Sequence, residues 1–300
     1  MKSLIVGMGI GNLYRDVLTR IGAKIVTVDT NPEVGADYTS VEQALSVHSM
    51  FDTVHICTPN FTHFNIAHQV APYAKIVFIE KPGVANSENW MTLIHTHPKT
   101  RFMMVKNNQW RSEFATYKQL AETVDVIKLN WINKNRIPKP GSWFTNKQLA
   151  YGGVSRDLLP HLLSYYTAFF PDFLTKSQVV SKYSTQQWKL EDLVNSDYGD
   201  VVVDGVYDVD DRVELEYRYN DKTVIFIADW RSDKINNIGL EFIVNKGPVF
   251  TFELGLCPEE AYEIMIRTAW ENLNESNFWQ NQLIQDVWIH DIMNGFQNES

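Results

Sequence analysis

Over the first third of the chain, short runs rich in Val and Ile alternate with stretches that carry apolar residues at helical spacing. Residues 3–6, 24–28, 53–57, 76–79 and 101–105 read as strands, and 12–21, 41–46, 63–74 and 87–96 read as helices. Strands apolar on both faces and separated by helices predict a doubly wound parallel sheet covered on both sides. The pattern changes after about residue 120. Residues 126–132, 178–183, 212–219, 223–230, 240–244 and 249–253 read as strands, and several alternate apolar and polar positions, as antiparallel strands with one wet face do. Asn220-Asp221 and Lys246-Gly247-Pro248 predict turns, and 158–169, 259–272 and 276–295 predict helices. The expected architecture is an α/β domain over 1–120 and an α+β domain over 121–300, with the boundary near 108–122. The second domain should be an open, mainly antiparallel sheet with helices on one face, and its last helix could pack back on the first domain.

The 300 residues fit two domains, and 44% hydrophobic with 21% charged is ordinary for a globular chain. Cys57 and Cys257 are the only cysteines, which argues against a disulfide scaffold and points to a reducing, cytoplasmic setting. Lys plus Arg number 27 against 36 Asp plus Glu, and no basic tract stands out, so a nucleic-acid partner is disfavoured. The apolar start runs into glycines with no cleavage site, so it does not read as a signal peptide. No run is long enough for a membrane helix.

Gly7-Met8-Gly9-Ile10-Gly11-Asn12 follows the first strand and opens the first helix. Gly7 permits a tight turn. Gly9 lets a pyrophosphate approach the backbone at the positive end of the helix. Asn12 stands where the dinucleotide fingerprint wants a third small residue, and Gly11 could supply the close helix–strand packing instead. Asp29 ends the second strand 22 positions after Gly7 (29 − 7 = 22), where the fingerprint places an acidic residue on the ribose hydroxyls. A carboxylate there repels a 2′-phosphate and so favours NAD over NADP. These are the marks of a Rossmann domain.

Further motifs follow in order: Cys57-Thr58-Pro59-Asn60-Phe61-Thr62-His63 after the third strand, Glu80-Lys81-Pro82 after the fourth, and Gly152-Gly153-Val154-Ser155-Arg156-Asp157-Leu158-Leu159-Pro160-His161 later. Together with the glycine turn they resemble the glucose–fructose oxidoreductase / inositol dehydrogenase / rhizopine catabolism family (Gfo/Idh/MocA), from residue 3 to about 170 and more loosely beyond. The resemblance implies NAD(H)-dependent hydride transfer to or from a sugar, inositol or nucleotide sugar. It places Gly7, Gly9, Ile10, Gly11, Asn12, Asp29, Thr58, Pro59, Asn60, His63, Glu80, Lys81, Pro82 and Asn108 on the cofactor side, with a mostly structural part for His63. It makes Lys81, Asp157 and His161 catalytic: Lys81 at the reacting oxygen, His161 as general acid/base, Asp157 as its substrate-orienting partner. Trp110 and Trp143 join these three as substrate-side residues.

The chemistry agrees independently. Oxidising an alcohol requires removal of its oxygen's proton, a task suited to an imidazole titrating near neutrality, and a cation can stabilise the negative charge that develops. Asp157 and His161 are four apart and should share a helix face, although Asp157 also fits a helix cap. The segment Asn108-Gln109-Trp110-Arg111 departs from the family's Asn-x-Arg. If it is strand, the shift turns Arg111 to the other face. Trp143-Phe144 could stack on a sugar ring, and Lys134, Arg136 and Lys139 could meet an anionic group. No metal site is expected: His95-Thr96-His97 lacks other ligands, and Asp208, Asp210 and Asp211 fail the calcium-loop pattern, reading as a charged turn. Cys57 shows no case for a thiolate nucleophile. Apolar residues on both faces of 223–230 predict a homodimer or homotetramer through the second sheet. Two alternatives stay open: a non-catalytic dinucleotide-binding sensor or scaffold, and a reductase of a non-sugar carbonyl or imine.

Overall fold

The computed structural model describes residues 1–232 and 236–296. The chain divides into two compact units, Met1–Trp110 with Pro258–Asp291, and Arg111–Cys257 with the residues from Ile292.

The first unit holds β1 (Lys2–Val6), α1 (Gly11–Arg20), β2 (Lys24–Val28), α2 (Val41–Val47), β3 (Phe51–Ile56), α3 (His63–Val70), β4 (Ala74–Ile79), α4 (Ser87–Thr96) and β5 (Arg101–Met104). Its five strands are all parallel, in the order β2-β1-β3-β4-β5. A parallel bridge from Val28 to Tyr38 extends the sheet beyond β2. Counting Tyr38 as a rudimentary strand gives the dinucleotide-binding order, with the switch point between β1 and β3. Leu4, Ile5, Val54, Ile56, Val77 and Phe78 are fully buried, as a sheet covered on both faces requires. The helix expected over 63–74 ends at Val70. Pro72 supplies no N–H, and Ala71–Tyr73 tightens into a 3-10 turn.

The second unit contains α5 (Phe114–Thr123), β6 (Val126–Ile132), α6 (Lys147–Ala150), α7 (Val154–Asp157), α8 (Leu159–Phe169), α9 (Phe173–Lys176), β7 (Ser177–Thr185), β8 (Arg212–Tyr219), β9 (Lys222–Asp229), β10 (Asn237–Ile243) and β11 (Val249–Glu253). The sheet order is β11-β10-β6-β9-β8-β7, with β6 and β9 parallel and every other pair antiparallel. The β8–β9 hairpin turns through Asn220-Asp221, with Asn220 at φ +53°. Val213, Leu215, Tyr217, Val224, Phe226 and Ala228 are buried on one face, where α8 sets Tyr166 against Tyr217 and Phe226. Ile225 and Ile227 are half-buried on the opposite face, in register with Glu216 and Glu214 of β8 and with Lys128 and Asn130 of β6. α10 (Glu259–Glu271) and most of α11 (Ser276–Gly295) belong to the first unit.

Candidate functional site

The glycine turn sits at the C-terminal ends of β1 and β3, at the switch point. Gly7 has φ +91°, and a Cβ there would lie 2.7 Å from the Cys57 carbonyl oxygen. Gly11 lies against β1, where a Cβ would come 2.9 Å from Ile5 Cγ2, so Gly11 provides the close helix–strand approach. Gly9 differs from both: a Cβ would meet nothing within 4 Å, and the residue is exposed. The open side of the turn therefore faces outward at the N-terminus of α1, where backbone N–H groups suit a phosphate. Asn12 donates from Nδ2 to the Met8 carbonyl, bracing the turn. Asp29 Oδ2 accepts the Met8 N–H at 2.7 Å and Oδ1 the Asn31 N–H at 2.8 Å. A half-buried carboxylate with lone pairs to spare and an open glycine turn fit a dinucleotide.

The loops after β3 and β4 are fastened to each other. Thr58 accepts from Thr62 Oγ1 at 2.6 Å, which closes the Pro59-Asn60 turn. His63 is fully buried, with Nδ1 2.7 Å from the Gly83 carbonyl and Nε2 2.7 Å from the Thr58 carbonyl. Both ring nitrogens are occupied, and His63 fastens the two loops to each other. Burial pushes its pKa down against the two carbonyls, which raise it. Glu80 is also buried, accepting from Tyr14 Oη at 2.6 Å and from the Lys81 N–H at 3.2 Å. It too anchors the loop. Burial pushes the Glu80 carboxyl and the Tyr14 phenol up. Lys81 is half-buried, Pro82 is buried, and the peptide bond between them is cis. Burial raises the Cys57 thiol well above its usual range, which disfavours a thiolate.

Asn108 and Trp110 lie in a 3-10 turn, Asn107–Trp110, after β5 ends at Met104. No strand runs through this segment, so the one-residue shift does not turn Arg111 to another strand face. Asn108 is fully buried, and Trp110 is half-buried. Arg111 is spent inside the second unit, where it donates to the Gly255 carbonyl at 2.6 Å.

In the second unit the Gly152-Gly153 turn launches α7. Gly152 has φ +140°, and a Cβ on Gly153 would overlap the Asp210 carbonyl oxygen at 1.8 Å. Asp210 takes the Gly153 N–H at 3.0 Å, the Ser155 N–H at 2.7 Å and the Ser155 hydroxyl at 2.9 Å. Nearby, Asp208 accepts the Lys147 N–H at 2.6 Å, and buried Asp211 accepts from the Gln187 and Trp188 N–H groups and from Tyr207 Oη. The three aspartates of this charged turn are thus acceptors for backbone and side-chain donors. Arg156 is buried, bonded to the Tyr151 carbonyl and to Asn294 Oδ1, and burial brings its guanidinium down to about 10.

Asp157 and His161 do not share one unbroken helix. α7 ends at Asp157, α8 begins at Leu159, and Pro160 removes the N–H that would join them. Each is held by a tryptophan: Trp230 Nε1 donates to Asp157 Oδ2 at 2.8 Å, and the His161 ring stacks on Trp131 at 5.0 Å. Trp131 and Trp230 come from the neighbouring parallel strands β6 and β9, Trp230 directly after β9 ends. Trp143 stacks on Phe144 at 3.8 Å in a short 3-10 turn. Arg136 covers the Tyr198 ring at 4.9 Å. His97 bonds to His68 at 3.1 Å, and no group of three or more His, Cys, Asp or Glu suited to a metal ion occurs among the described residues.

A five-stranded dinucleotide-binding sheet followed by an α+β unit with an open sheet is the architecture of a Rossmann-fold protein with a second, α+β unit. Residues 16–107 match the family described as "Oxidoreductase family, NAD-binding Rossmann fold" (Gfo/Idh/MocA). A protein of Amycolatopsis mediterranei named as a UDP-kanosamine synthase oxidoreductase subunit is 27% identical over 117 residues, 37% of this chain and 32% of that relative. The chain thus spans about a third of that relative's length. Among solved structures, GenD2 from gentamicin A biosynthesis, in complex with NAD, has TM-score 0.76 at 19% identity, covering 98% of this chain and 92% of that one. Levoglucosan dehydrogenase with NADH and levoglucosan has TM-score 0.72 at 16% identity, covering 98% and 96%. These likenesses establish the fold. No helix among the described residues is long and apolar enough to cross a membrane.

Proposed function

We propose that the protein is an NAD(H)-dependent oxidoreductase that moves hydride between nicotinamide and a hydroxyl or ketone of a sugar, inositol or nucleotide sugar. The observation that carries this is the glycine turn: open at Gly9, packed shut at Gly7 and Gly11, and tied through Met8 to Asp29. Asp29 would hold the adenosine ribose hydroxyls and repel a 2′-phosphate, so NAD is preferred to NADP. The cofactor supplies the hydride chemistry. The Lys81 ammonium would stabilise negative charge on the substrate oxygen. The His161 ring would take the proton from that oxygen in oxidation and return it in reduction. Asp157, aimed by Trp230, would orient the substrate. Support for a sugar-like substrate comes from the names of the similar proteins, which concern levoglucosan and a UDP-sugar. Ile225 and Ile227 on the outer sheet face would meet a second copy of the chain; light scattering at the monomer mass would refute that.

The testing experiment is a titration with NADH and with NADPH, followed by nicotinamide fluorescence. Saturable, tighter NADH binding is expected, and turnover is then sought with levoglucosan, myo-inositol and UDP-sugars. Binding of neither nucleotide would overturn the proposal.

A further inference from the structure

The loop that carries Lys81 is gripped a second time, by the C-terminal helix. His290, on α11, is fully buried and touches the loop two residues beyond Pro82. Its Nδ1 lies 2.6 Å from the Asp286 carbonyl oxygen, one helical turn back. A carbonyl only accepts, so Nδ1 carries the ring proton and Nε2 keeps its lone pair. That lone pair accepts the Val84 N–H at 3.2 Å. The neighbouring Gly83 has φ +78°, and a Cβ there would fall 2.6 Å from His290 Nε2, so only glycine allows the ring this close. The ring is itself backed by Trp90, at 5.2 Å between centroids.

The same helix anchors the next strand end. Asp286 is fully buried, accepts the Met104 N–H at 3.1 Å, and forms an ion pair with the buried Lys106 ammonium. Ser87 Oγ donates to Asp291 at 2.5 Å. From the opposite side, His63 holds the Gly83 carbonyl. The peptide unit between Gly83 and Val84 is thus clasped at its oxygen by a histidine of α3 and at its nitrogen by a histidine of α11.

We infer that His290 is a positioning residue for Lys81: through the Val84 N–H it fixes the loop that presents the lysine. This deepens the proposed function and rests on it. No bond is made or broken at His290, whose contribution is to hold an acceptor at one place. Backbone held at both its donor and its acceptor cannot swing without leaving a buried polar group unmet, so the loop stays in one conformation.

The test uses the full chain and three variants. His290→Gln keeps an acceptor at the reach of Nε2, His290→Asn is too short to offer one, and His290→Phe keeps the ring volume against Trp90. Hydrogen exchange at the Val84 amide, read without cofactor or substrate, should quicken about tenfold or more in the Asn and Phe variants. Ile5 and Val54 amides should be unchanged, and the Gln variant should stay near wild type. In turnover with NAD and whichever compound of the panel is oxidised, the Asn variant should lose about tenfold in kcat with little change in KM, and Gln should restore it. Unchanged Val84 exchange, or a Gln variant behaving like Asn, would overturn the inference. Wild-type turnover in Lys81→Met would instead overturn the role given to Lys81, while the exchange result would still decide whether His290 holds the loop.

Discussion

Asp29 Oδ2 accepts the Met8 N–H at 2.7 Å, joining the end of β2 to the turn after β1. One carboxylate therefore shapes the glycine turn, and it is the carboxylate we propose for the ribose hydroxyls. Replacing Asp29 by Ala should weaken NADH about tenfold or more, since a hydrogen bond to a charged acceptor is lost with the ribose contacts. It should weaken NADPH less, narrowing the gap. Equal losses for both nucleotides would assign Asp29 to the turn alone, and parallel fluorescence titrations decide this.

Gly7 and Gly9 should respond in opposite ways to the same methyl group. Gly7→Ala meets a positive φ and the Cys57 carbonyl, so it should cost about 1–3 kcal/mol of stability, seen as a lower Tm. Gly9→Ala meets open space and should leave Tm close to wild type while lowering NADH affinity. A Gly9→Ala variant that bound NADH normally would remove the open side of the turn from the proposed cofactor site.

For His161→Ala, turnover should fall by roughly 10²–10⁴-fold with NADH affinity little changed, as for a lost general acid/base. Trp230→Phe removes the N–H that aims Asp157 together with part of the buried ring. It should raise KM more than it lowers kcat if Asp157 orients substrate. Steady-state kinetics on a substrate found in the panel separates the two.

Acid stability should depend on His55. The ring is fully buried, its Nε2 bonds to Thr53 at 3.0 Å, Nδ1 has no partner among the described residues, and burial pushes its pKa to about 3 from 6.5. The fold holds the ring neutral while the unfolded chain protonates it. Its contribution is therefore complete above pH 6.5 and is lost as pH falls towards 3, at up to about 1.4 kcal/mol per pH unit. Asp211 and Asp286, raised by burial to about 6, act in the opposite sense: their contribution is lost as pH rises from 3.8 to 6. The comparison of denaturation curves for wild type and His55→Phe isolates the histidine. The variant should lose less stability on acidification, and parallel curves would refute the assignment.

The sequence alone determined the succession of strands and most of the longer helices, because each is encoded within a few residues by apolar periodicity and by Gly and Pro, but it did not give α5 (Phe114–Thr123). It also located the glycine turn and Asp29, whose spacing follows from one strand–helix–strand unit. Pro160 was visible there too, yet its missing N–H outweighs the four-residue spacing that seemed to put Asp157 and His161 on one helix face. Tertiary structure decided what the buried polar groups do. Whether His63 and Glu80 face a ligand or fasten loops depends on Thr58, Gly83 and Tyr14 being brought to them. Asp210 works as the acceptor for a turn more than fifty positions away, and His290 accepts from Val84 across 206 positions. Such pairings leave no local periodicity, because burial demands only that each polar group find a partner, wherever in the chain the fold supplies it.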